Sequence, residues 1–385
     1  MSRKNGLHRP ALALLASVIA ALAPAAANAA PMDTVPPAEV ERPQTPRAPF
    51  PYAVEEVSFA GAGPDVVLAG SLTWPRAGHS LPAVVLVHGS GLTDRDSTYQ
   101  QHKPLLVLAD ALTRAGYAVL RYDKRGVGQS SGDFRAATTL DFAGDAAAAM
   151  RYLRTRSEID SKRVGMVGHS EGGTIVALLS ASSDPPAASV SLNGMIAPNS
   201  EQLPLQEVLT GKDLGANDEY AVFVNAYYAR LMDGLLISDD AERLAHMSAL
   251  ASAWQASFPP GHINHAAAGD SLLNRPKLLA SRWLMTLMQL DVPAAIRQGK
   301  APILIANGST DRQVVAAPNL QVARAALGTE TPQRRTQLLP GLNHVLQESE
   351  SGASDDYGTI TQTVSPIATD AVIEFLCLTI GRCQQ

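Results

Sequence analysis

Apolar runs alternate with amphipathic stretches along most of the chain. Apolar runs at residues 83–89, 116–123, 163–167 and 301–308 predict strands that are covered on both faces, as in parallel sheets. The stretches between them carry apolar residues at helical spacing. This alternation predicts βαβ units, and therefore an α/β fold with a mostly parallel central sheet and helices on both faces.

The alternation stops between residues 195 and 300, where the pattern is helical. Asn217 is the predicted N-cap of a first helix, a second helix follows Asp240, and a third follows Pro276. Helices inserted between two strands of a sheet predict a helical cap over the edge of that sheet.

The N-terminus has the features of an export signal. Basic residues at Arg3, Lys4 and Arg9 precede an apolar stretch and the triplet 27–29, Ala-Asn-Ala, after which we expect cleavage. The apolar stretch is shorter than the roughly 20 residues of a membrane span, which favours a cleaved signal over an anchor. The predicted organisation is a signal peptide at 1–29, a proline-rich linker at 30–51, an α/β core at 52–194 and 301–385, and a cap at 195–300.

Composition narrows the possible partners and the compartment. Removal of Arg3, Lys4 and Arg9 with no acidic residue changes the net charge from −5 to −8, which argues against nucleic acid as a partner. We expect a periplasmic or secreted protein with no stable membrane insertion after signal cleavage. Cys377 and Cys383 are the only cysteines; they could form a disulfide in an oxidising compartment, or Cys377 could be buried in the terminal helix.

The segment VGHSEGG places Ser170 between a predicted strand and a predicted helix. Gly168 and Gly172 complete the pattern G-x-S-x-G, in which a sharp turn exposes a nucleophilic serine and small neighbours avoid a clash. The alternative is an ordinary hydroxyl in a glycine-rich turn. The strand before the pattern and the helix after it favour the nucleophile.

A serine nucleophile needs a base and an acid that orients the base. Asp311 follows the predicted strand at 301–308 and could equally be an N-cap or turn residue. His344 lies 33 residues later, after the next strand. The chain order Ser170, Asp311, His344 is that of an α/β hydrolase, which favours the catalytic interpretation.

The remaining histidines give weaker indications. His262 and His265 lie in the cap without a flanking acidic motif, so we expect no metal site there. His169 is interpreted as structural because a neighbour in a tight turn points away from the site. His102 lies at a helix start and is expected at the surface or rim.

Main-chain groups could stabilise the oxyanion of an acyl-transfer reaction. The turn HGSG at residues 88–91 could supply the N–H of Ser90, and the residue after the nucleophile could supply the N–H of Glu171. The loop RGVGQSSG lacks the spacing of a phosphate-binding loop and is interpreted as a surface turn, with Asp123 pairing with Arg125.

Taken together, HGSG with GLTDRDST, VLRYDKRGVGQSSGDF, GHSEGG, and Asp311 with His344 resemble the α/β-hydrolase superfamily. Within it they resemble bacterial serine carboxylesterases that carry HGSG followed closely by DRD. The resemblance extends from about residue 52 to the C-terminus except for the cap. It implies Ser170 as nucleophile, His344 as base, Asp311 as acid, and main-chain donors at Ser90 and Glu171.

The predicted function is hydrolysis of a small-molecule carboxylic ester through an acyl-enzyme, with no metal and no cofactor. Prolyl-aminopeptidase-like relatives and thioesterases share the scaffold, so a peptidase or a thioesterase stays open. A peptidase cap should present acids to a substrate ammonium, and Asp218, Glu219, Asp239, Asp240 and Glu242 are candidates. A non-catalytic binding protein is a further alternative, although all three catalytic residues are present.

Overall fold

The computed structural model describes residues 42–268 and 276–382. Its centre is a sheet of eight strands in the order β1-β2-β4-β3-β5-β6-β7-β8. The strands are β1 Ala53–Ala60, β2 Val67–Trp74, β3 Leu81–Val87, β4 Ala118–Tyr122, β5 Ile159–His169, β6 Ser189–Leu192, β7 Ile303–Gly308 and β8 Arg334–Leu339.

Strands β3 to β8 are parallel, whereas β1 and β2 form an antiparallel extension at one edge. The carboxyl ends of the parallel strands therefore lie at one edge of the sheet. The predicted α/β class with a mostly parallel sheet is confirmed. Functional side chains in such sheets lie beyond these carboxyl ends.

Helices cover both faces of the sheet, and the alternation of side chains along β3 explains why. Val84 and Leu86 pack against α1 (Pro104–Arg114) and α12 (Pro366–Ile380), while Val85 and Val87 point to the opposite face. That face is covered by α2 Thr139–Arg154, α3 Glu171–Leu179, α10 Val292–Gln298 and α11 Ala316–Leu327. Because both faces are buried, the strands read as continuous apolar runs.

Of the helices described between β6 and β7, all except α10 form a layer with an apolar core of its own, which includes Tyr220, Val224, Tyr227 and Met247. They are α4 Asn199–Asp213, α5 Asp218–Gly234, α6 Asp240–Gln255, α7 His265–Ala268, α8 Pro276–Leu279 and α9 Arg282–Gln289. We refer to α4–α9 as the cap helices. Their apolar faces explain the helical spacing in this part of the sequence.

The predicted helix ends are partly confirmed. Asn217 caps α5 through a hydrogen bond from the Glu219 N–H. The second helix is capped by Asp239, one residue earlier than expected. The helix predicted after Pro276 is two short helices, because the Ser281 side chain caps a new helix by accepting from the Leu284 N–H.

The segment before β1 is attached to the core by Arg42. This buried guanidinium donates to the carbonyl oxygens of Gln100, Gly358 and Ile360 at 2.7–3.0 Å. The predicted signal peptide at 1–29 lies outside the described residues. Cys377 in α12 is disulfide-bonded, and Cys383 also lies outside the described residues. Within the described ranges, no helix has the length and apolar character needed to cross a membrane.

Candidate active site

Ser170 lies in a tight turn between β5 and α3. Its backbone has φ 55° and ψ −123°, a region that residues other than glycine seldom occupy. The Ser170 N–H donates to the carbonyl oxygen of Leu192 on β6 at 2.9 Å, which holds the turn against the sheet. The serine therefore lies at the carboxyl end of β5, directly before α3.

Glycines on either side of Ser170 permit this turn. A Cβ on Gly168 would lie 2.0 Å from the carbonyl oxygen of Gly172, and a Cβ on Gly172 would lie 2.2 Å from that of Val87. Both distances are well inside van der Waals contact. The pattern G-x-S-x-G is thus required by the close approach of α3 to β3 and β5.

The structure brings Ser170, His344 and Asp311 together at this edge of the sheet. Nε2 of His344 lies 3.1 Å from Oγ of Ser170, and Nδ1 of His344 lies 2.9 Å from Oδ2 of Asp311. The imidazole and the carboxylate are both buried. The three side chains form a continuous hydrogen-bonded chain in which the imidazole is able to accept the serine proton.

Asp311 also fixes the turn that follows β7. Its Oδ1 accepts the N–H groups of Gln313 at 2.8 Å and Val314 at 2.9 Å. The turn role that the sequence left open for Asp311 is therefore present together with the contact to His344. These two backbone donors hold the carboxylate in one orientation in front of the imidazole.

The loop that carries His344 is held by two side chains from neighbouring strand ends. Nε2 of His169 lies 2.7 Å from the carbonyl oxygen of His344, and Nδ2 of Asn193 donates to the same oxygen at 2.7 Å. Burial, with the nearby His344, lowers the pKa of His169 to about 3. His169 is thus a neutral hydrogen-bond donor that supports the His344 loop. The expectation that it points away from the site is wrong, because it lines the pocket beside Ser170, with its ring centre 5.1 Å from that of His344.

Sequence reasoning did not identify Asn193. Its only signal was its position directly after the strand β6. In the structure its Oδ1 also accepts the Gly308 N–H at 2.7 Å, so one amide connects the ends of β6 and β7 with the His344 loop.

A buried ion pair behind Ser170 was also missed. Nζ of Lys124 lies 3.1 Å from Oε2 of Glu171, and both residues are at most 1 % exposed. Oε1 of Glu171 accepts from Thr139 Oγ1 and from the indole N–H of Trp283 in α9, each at 2.7 Å. Burial alone would raise the pKa of Glu171, but Lys124 and these donors outweigh it and hold the pKa below its usual value.

The predicted pairing of Asp123 with Arg125 is wrong. Asp123 accepts two hydrogen bonds from Arg95, of the DRD segment, at 2.8 and 3.1 Å. Arg125 instead pairs with Asp145 of α2 at 2.6 Å. A close approach of Gly128 to the Asp123 carboxylate leaves no room for a side chain at that glycine, whose φ is +55°. The loop 125–132 is thus folded around Asp123.

A pocket of about 290 Å³ lies beside Ser170 and His344. Its lining is mainly apolar, with a few polar groups such as Gln206, Gln313 and the buried Glu207, which accepts from the Tyr220 hydroxyl at 2.8 Å. The cap contributes Trp283, Leu284 and Leu287. None of the five cap acids proposed from sequence for an ammonium site lines this pocket.

The other histidines do not join the site. The expectation that His102 lies at the surface is wrong: it is fully buried and bonded to Thr363 and to the carbonyl of Tyr357. In the cap, His262 accepts from the Asn264 N–H, and Nδ1 of His265 lies 2.6 Å from the carbonyl of Phe258. Among residues 42–268 and 276–382, no group of three or more His, Cys, Asp or Glu side chains has the arrangement of a metal site.

Comparison with known sequences gives three findings. The family model described as "Alpha/beta hydrolase family" matches residues 84–353. Esterase EstD of Thermotoga maritima is 35% identical over 108 residues, which are 28% of this chain and 26% of EstD. The quorum-quenching protein AidA of Acinetobacter baumannii is 26% identical over 284 residues, 72% of this chain and 84% of AidA. The chain thus matches about a quarter of the length of EstD.

Solved structures show a similar architecture at low sequence identity. The hydrolase GrgF from Penicillium sp. sh18 aligns with a TM-score of 0.51 and 16% identity, covering 85% of this chain and 99% of GrgF. An esterase of Pyrococcus furiosus aligns with a TM-score of 0.50 and 14% identity, covering 86% of this chain and 92% of the esterase chain. At these identities the likeness shows the fold alone.

Proposed function

Because the chain belongs to the alpha/beta hydrolase family, we propose that it hydrolyses small-molecule carboxylic esters through an acyl-enzyme formed on Ser170. The observation that supports this most strongly is the continuous chain of hydrogen bonds from Ser170 through His344 to Asp311. The α/β-hydrolase fold expected from sequence is confirmed.

In the proposed mechanism, Nε2 of His344 accepts the Ser170 proton as Oγ attacks the ester carbonyl. Asp311 holds Nδ1–H and stabilises the imidazolium that forms. The imidazolium then gives the proton to the leaving alcohol. Water, deprotonated by the same nitrogen, attacks the acyl-enzyme and releases the acid, so that Ser170 recovers its proton.

The oxyanion of each tetrahedral intermediate would be bound by the N–H groups of Ser90 and Glu171. Glu171 is the first residue of α3, so its N–H has no acceptor within the helix, and the helix dipole favours negative charge there. Gly89 lies against the nucleophile: a Cβ on it would be 3.1 Å from Cβ of Ser170. The turn that carries Ser90 is therefore close enough to supply the second donor.

An ester is favoured over a peptide substrate by the lining of the pocket, in which the acid Glu207 is buried and accepts from the Tyr220 hydroxyl. The acids that could have bound a substrate ammonium, Asp218, Glu219, Asp239, Asp240 and Glu242, do not line it. Its lining is mainly apolar, which suits an acyl chain. The name of EstD, an esterase, agrees with hydrolysis of an ester.

We also propose that the protein is exported to the periplasm or secreted. The basic and apolar character of residues 1–29 supports this. The disulfide at Cys377 supports it as well, since disulfides persist in oxidising compartments. Cell fractionation with N-terminal sequencing should find the mature protein outside the cytoplasm, beginning at Ala30. A cytoplasmic protein that retains Met1 would overturn the proposal.

The function is tested with p-nitrophenyl acetate, butyrate and octanoate, an aminoacyl anilide, and a fluorophosphonate label. We expect ester turnover and labelling that Ser170→Ala abolishes, with activity reduced about 10³-fold or more. Ser182→Ala, beyond the end of α3, is the control, and this variant should retain both ester turnover and labelling. Cleavage of the anilide in preference to the esters would indicate a peptidase, and an unlabelled wild-type protein would indicate a binding function.

A further inference from the structure

Lys124 lies in a buried position where three oxygen acceptors lie near its ammonium group. Nζ lies 2.9 Å from the carbonyl oxygen of Gly89, 3.5 Å from that of Gly91 and 3.1 Å from Oε2 of Glu171. It is also 4.1 Å from the centre of the Phe142 ring, a favourable cation–π distance. Three acceptors match the three N–H groups of a charged lysine.

The acceptors of Lys124 belong to the two segments that supply the proposed oxyanion donors. The Gly89 carbonyl and the Ser90 N–H are parts of one peptide unit, and in a trans peptide the two groups point in opposite directions. Lys124 binds the carbonyl from one side. The Ser90 N–H is therefore directed to the other side of the turn, and rotation of the peptide would break the bond to Lys124.

Glu171 completes the connection. Its N–H is the second proposed donor, while its carboxylate binds Lys124, Thr139 and Trp283. One ion pair thus joins the Gly89–Gly91 turn to the first residue of α3, and Trp283 joins the pair to the cap. Such buried pairs are costly to desolvate and are weak evidence for stability, so a role in fixing geometry accounts better for this one.

We propose that Lys124 is a positioning residue that orients the Ser90 N–H toward the oxyanion. It does not touch the substrate, and it acts through the Gly89 carbonyl. The inference rests on the proposed function, since it assigns Lys124 a part in the same site. Its consequence is that loss of Lys124 weakens binding of the transition state much more than binding of the substrate.

The test compares Lys124→Met with Arg125→Met. Arg125 is adjacent in sequence and also forms a buried ion pair, with Asp145. Its side-chain hydrogen bonds go to Asp145, Ala62 and Asp141 and not to the Gly89–Gly91 turn. Removing an oxyanion donor costs about 10²–10³ in kcat. For Lys124→Met, which would misorient a donor without removing it, we expect kcat to fall about 10- to 100-fold with KM changed less than about threefold. Arg125→Met should change kcat less than about threefold.

Lys124→Met leaves a buried carboxylate without its cation and could fail to fold. The double variant Lys124→Met, Glu171→Gln removes both charges and keeps the amide oxygen where Thr139 and Trp283 donate. It should fold and keep the low kcat. An alkyl boronic acid, whose adduct carries the oxyanion, should lose affinity in parallel with kcat/KM, whereas the Ki of the corresponding neutral alcohol should stay constant.

Amide hydrogen exchange of residues 86–93 tests the same inference independently of catalysis. Exchange in this segment should accelerate in both Lys124 variants and stay unchanged in Arg125→Met. Wild-type kinetics in the double variant together with unchanged exchange would overturn the role of Lys124. A wild-type protein without ester hydrolysis would instead refute the proposed function, while the exchange experiment would still decide whether Lys124 orders the turn.

Discussion

Nδ1 of His344 lies 2.9 Å from Oδ2 of Asp311, and this contact determines which ring nitrogen is directed toward the serine. With the proton held on Nδ1 by the carboxylate, Nε2 carries a lone pair toward Ser170 Oγ, 3.1 Å away. Two backbone donors fix Asp311, and His169 and Asn193 fix the His344 carbonyl. The tautomer and the position of the base are thus set by separate groups.

Asp311→Asn should therefore abolish most activity without unfolding the protein. The amide oxygen takes the place of Oδ1 and still accepts hydrogen bonds from the N–H groups of Gln313 and Val314. The amide nitrogen then faces Nδ1 and donates to it, which moves the imidazole proton to Nε2. We expect kcat to fall about 10³- to 10⁴-fold with KM changed little.

Steady-state kinetics and thermal unfolding of Asp311→Asn check this prediction. An unfolding temperature close to that of the wild type would show that the turn after β7 survives. A variant that retains more than a tenth of wild-type kcat would contradict the assignment of Asp311 as the group that orients the base.

The proposed oxyanion donors are main-chain groups. Catalysis should therefore depend on the conformation of the turn at Ser90 and not on the Ser90 side chain. Gly91 has φ +93°, which disfavours any side chain. Ser90→Ala should keep kcat within about threefold, whereas Gly91→Ala should lower it at least about tenfold by displacing the turn. Comparable losses in the two variants, measured with p-nitrophenyl butyrate, would show that the Ser90 hydroxyl itself takes part.

Sequence could predict the sheet and the approach of the three side chains because each depends on local patterns. The strands are continuous apolar runs since both faces are buried, and Asp311 and His344 each follow a strand end. The turn at Ser170 depends on Gly168 and Gly172, whose identity is visible in the sequence. In parallel sheets, strand ends meet at one edge, which makes such groups converge.

The polar pairings could not be predicted, because several partners compete and tertiary distance selects among them. Asp123 is two residues from Arg125 yet binds Arg95, while Arg125 binds Asp145 on α2. His102 precedes a helix, which suggests a surface position, but the loop at 357–363 covers it. Lys124 and Asn193 likewise acquire their partners from segments far away in the chain.

Trp283 connects the cap to Glu171, the first residue of α3, and its loss should weaken that connection. Trp283→Phe removes the indole N–H that donates to Oε1 of Glu171 at 2.7 Å. A hydrogen bond to a charged group contributes about 1.5–3 kcal/mol to stability. We expect the free energy of unfolding to fall by about that amount because the buried carboxylate loses a donor.

Trp254→Phe is the matched control for this prediction. Trp254 packs against Phe223 and Tyr227 inside the cap, with ring centres 4.8 and 5.7 Å apart. The substitution removes a similar apolar area without touching Glu171. Urea unfolding of both variants measures the difference, and equal losses of stability would show that the bond to Glu171 contributes nothing.

The buried His88 and His102 and the partly buried His169 predict that stability falls as the pH is lowered below neutrality. Burial, together with Lys124 near His88 and Arg42 near His102, lowers the pKa of these two histidines to about 4. Burial, with the nearby His344, lowers the pKa of His169 to about 3. In the unfolded chain a histidine titrates near about 6.5. Between these values the unfolded state binds protons that the folded state does not, so stability is lost as pH falls from about 6.5 toward 4.

Each such histidine lowers the free energy of unfolding by at most about 1.4 kcal/mol per pH unit in this window. Urea unfolding at pH 7.0, 6.0 and 5.0 measures the slope. His102→Gln should make the decline shallower, since it removes one of the three groups, while substitution of the exposed His79 by Gln should not change it. A stability that is constant or rises between pH 7 and 5 would mean that these imidazoles are accessible to protons in the folded protein.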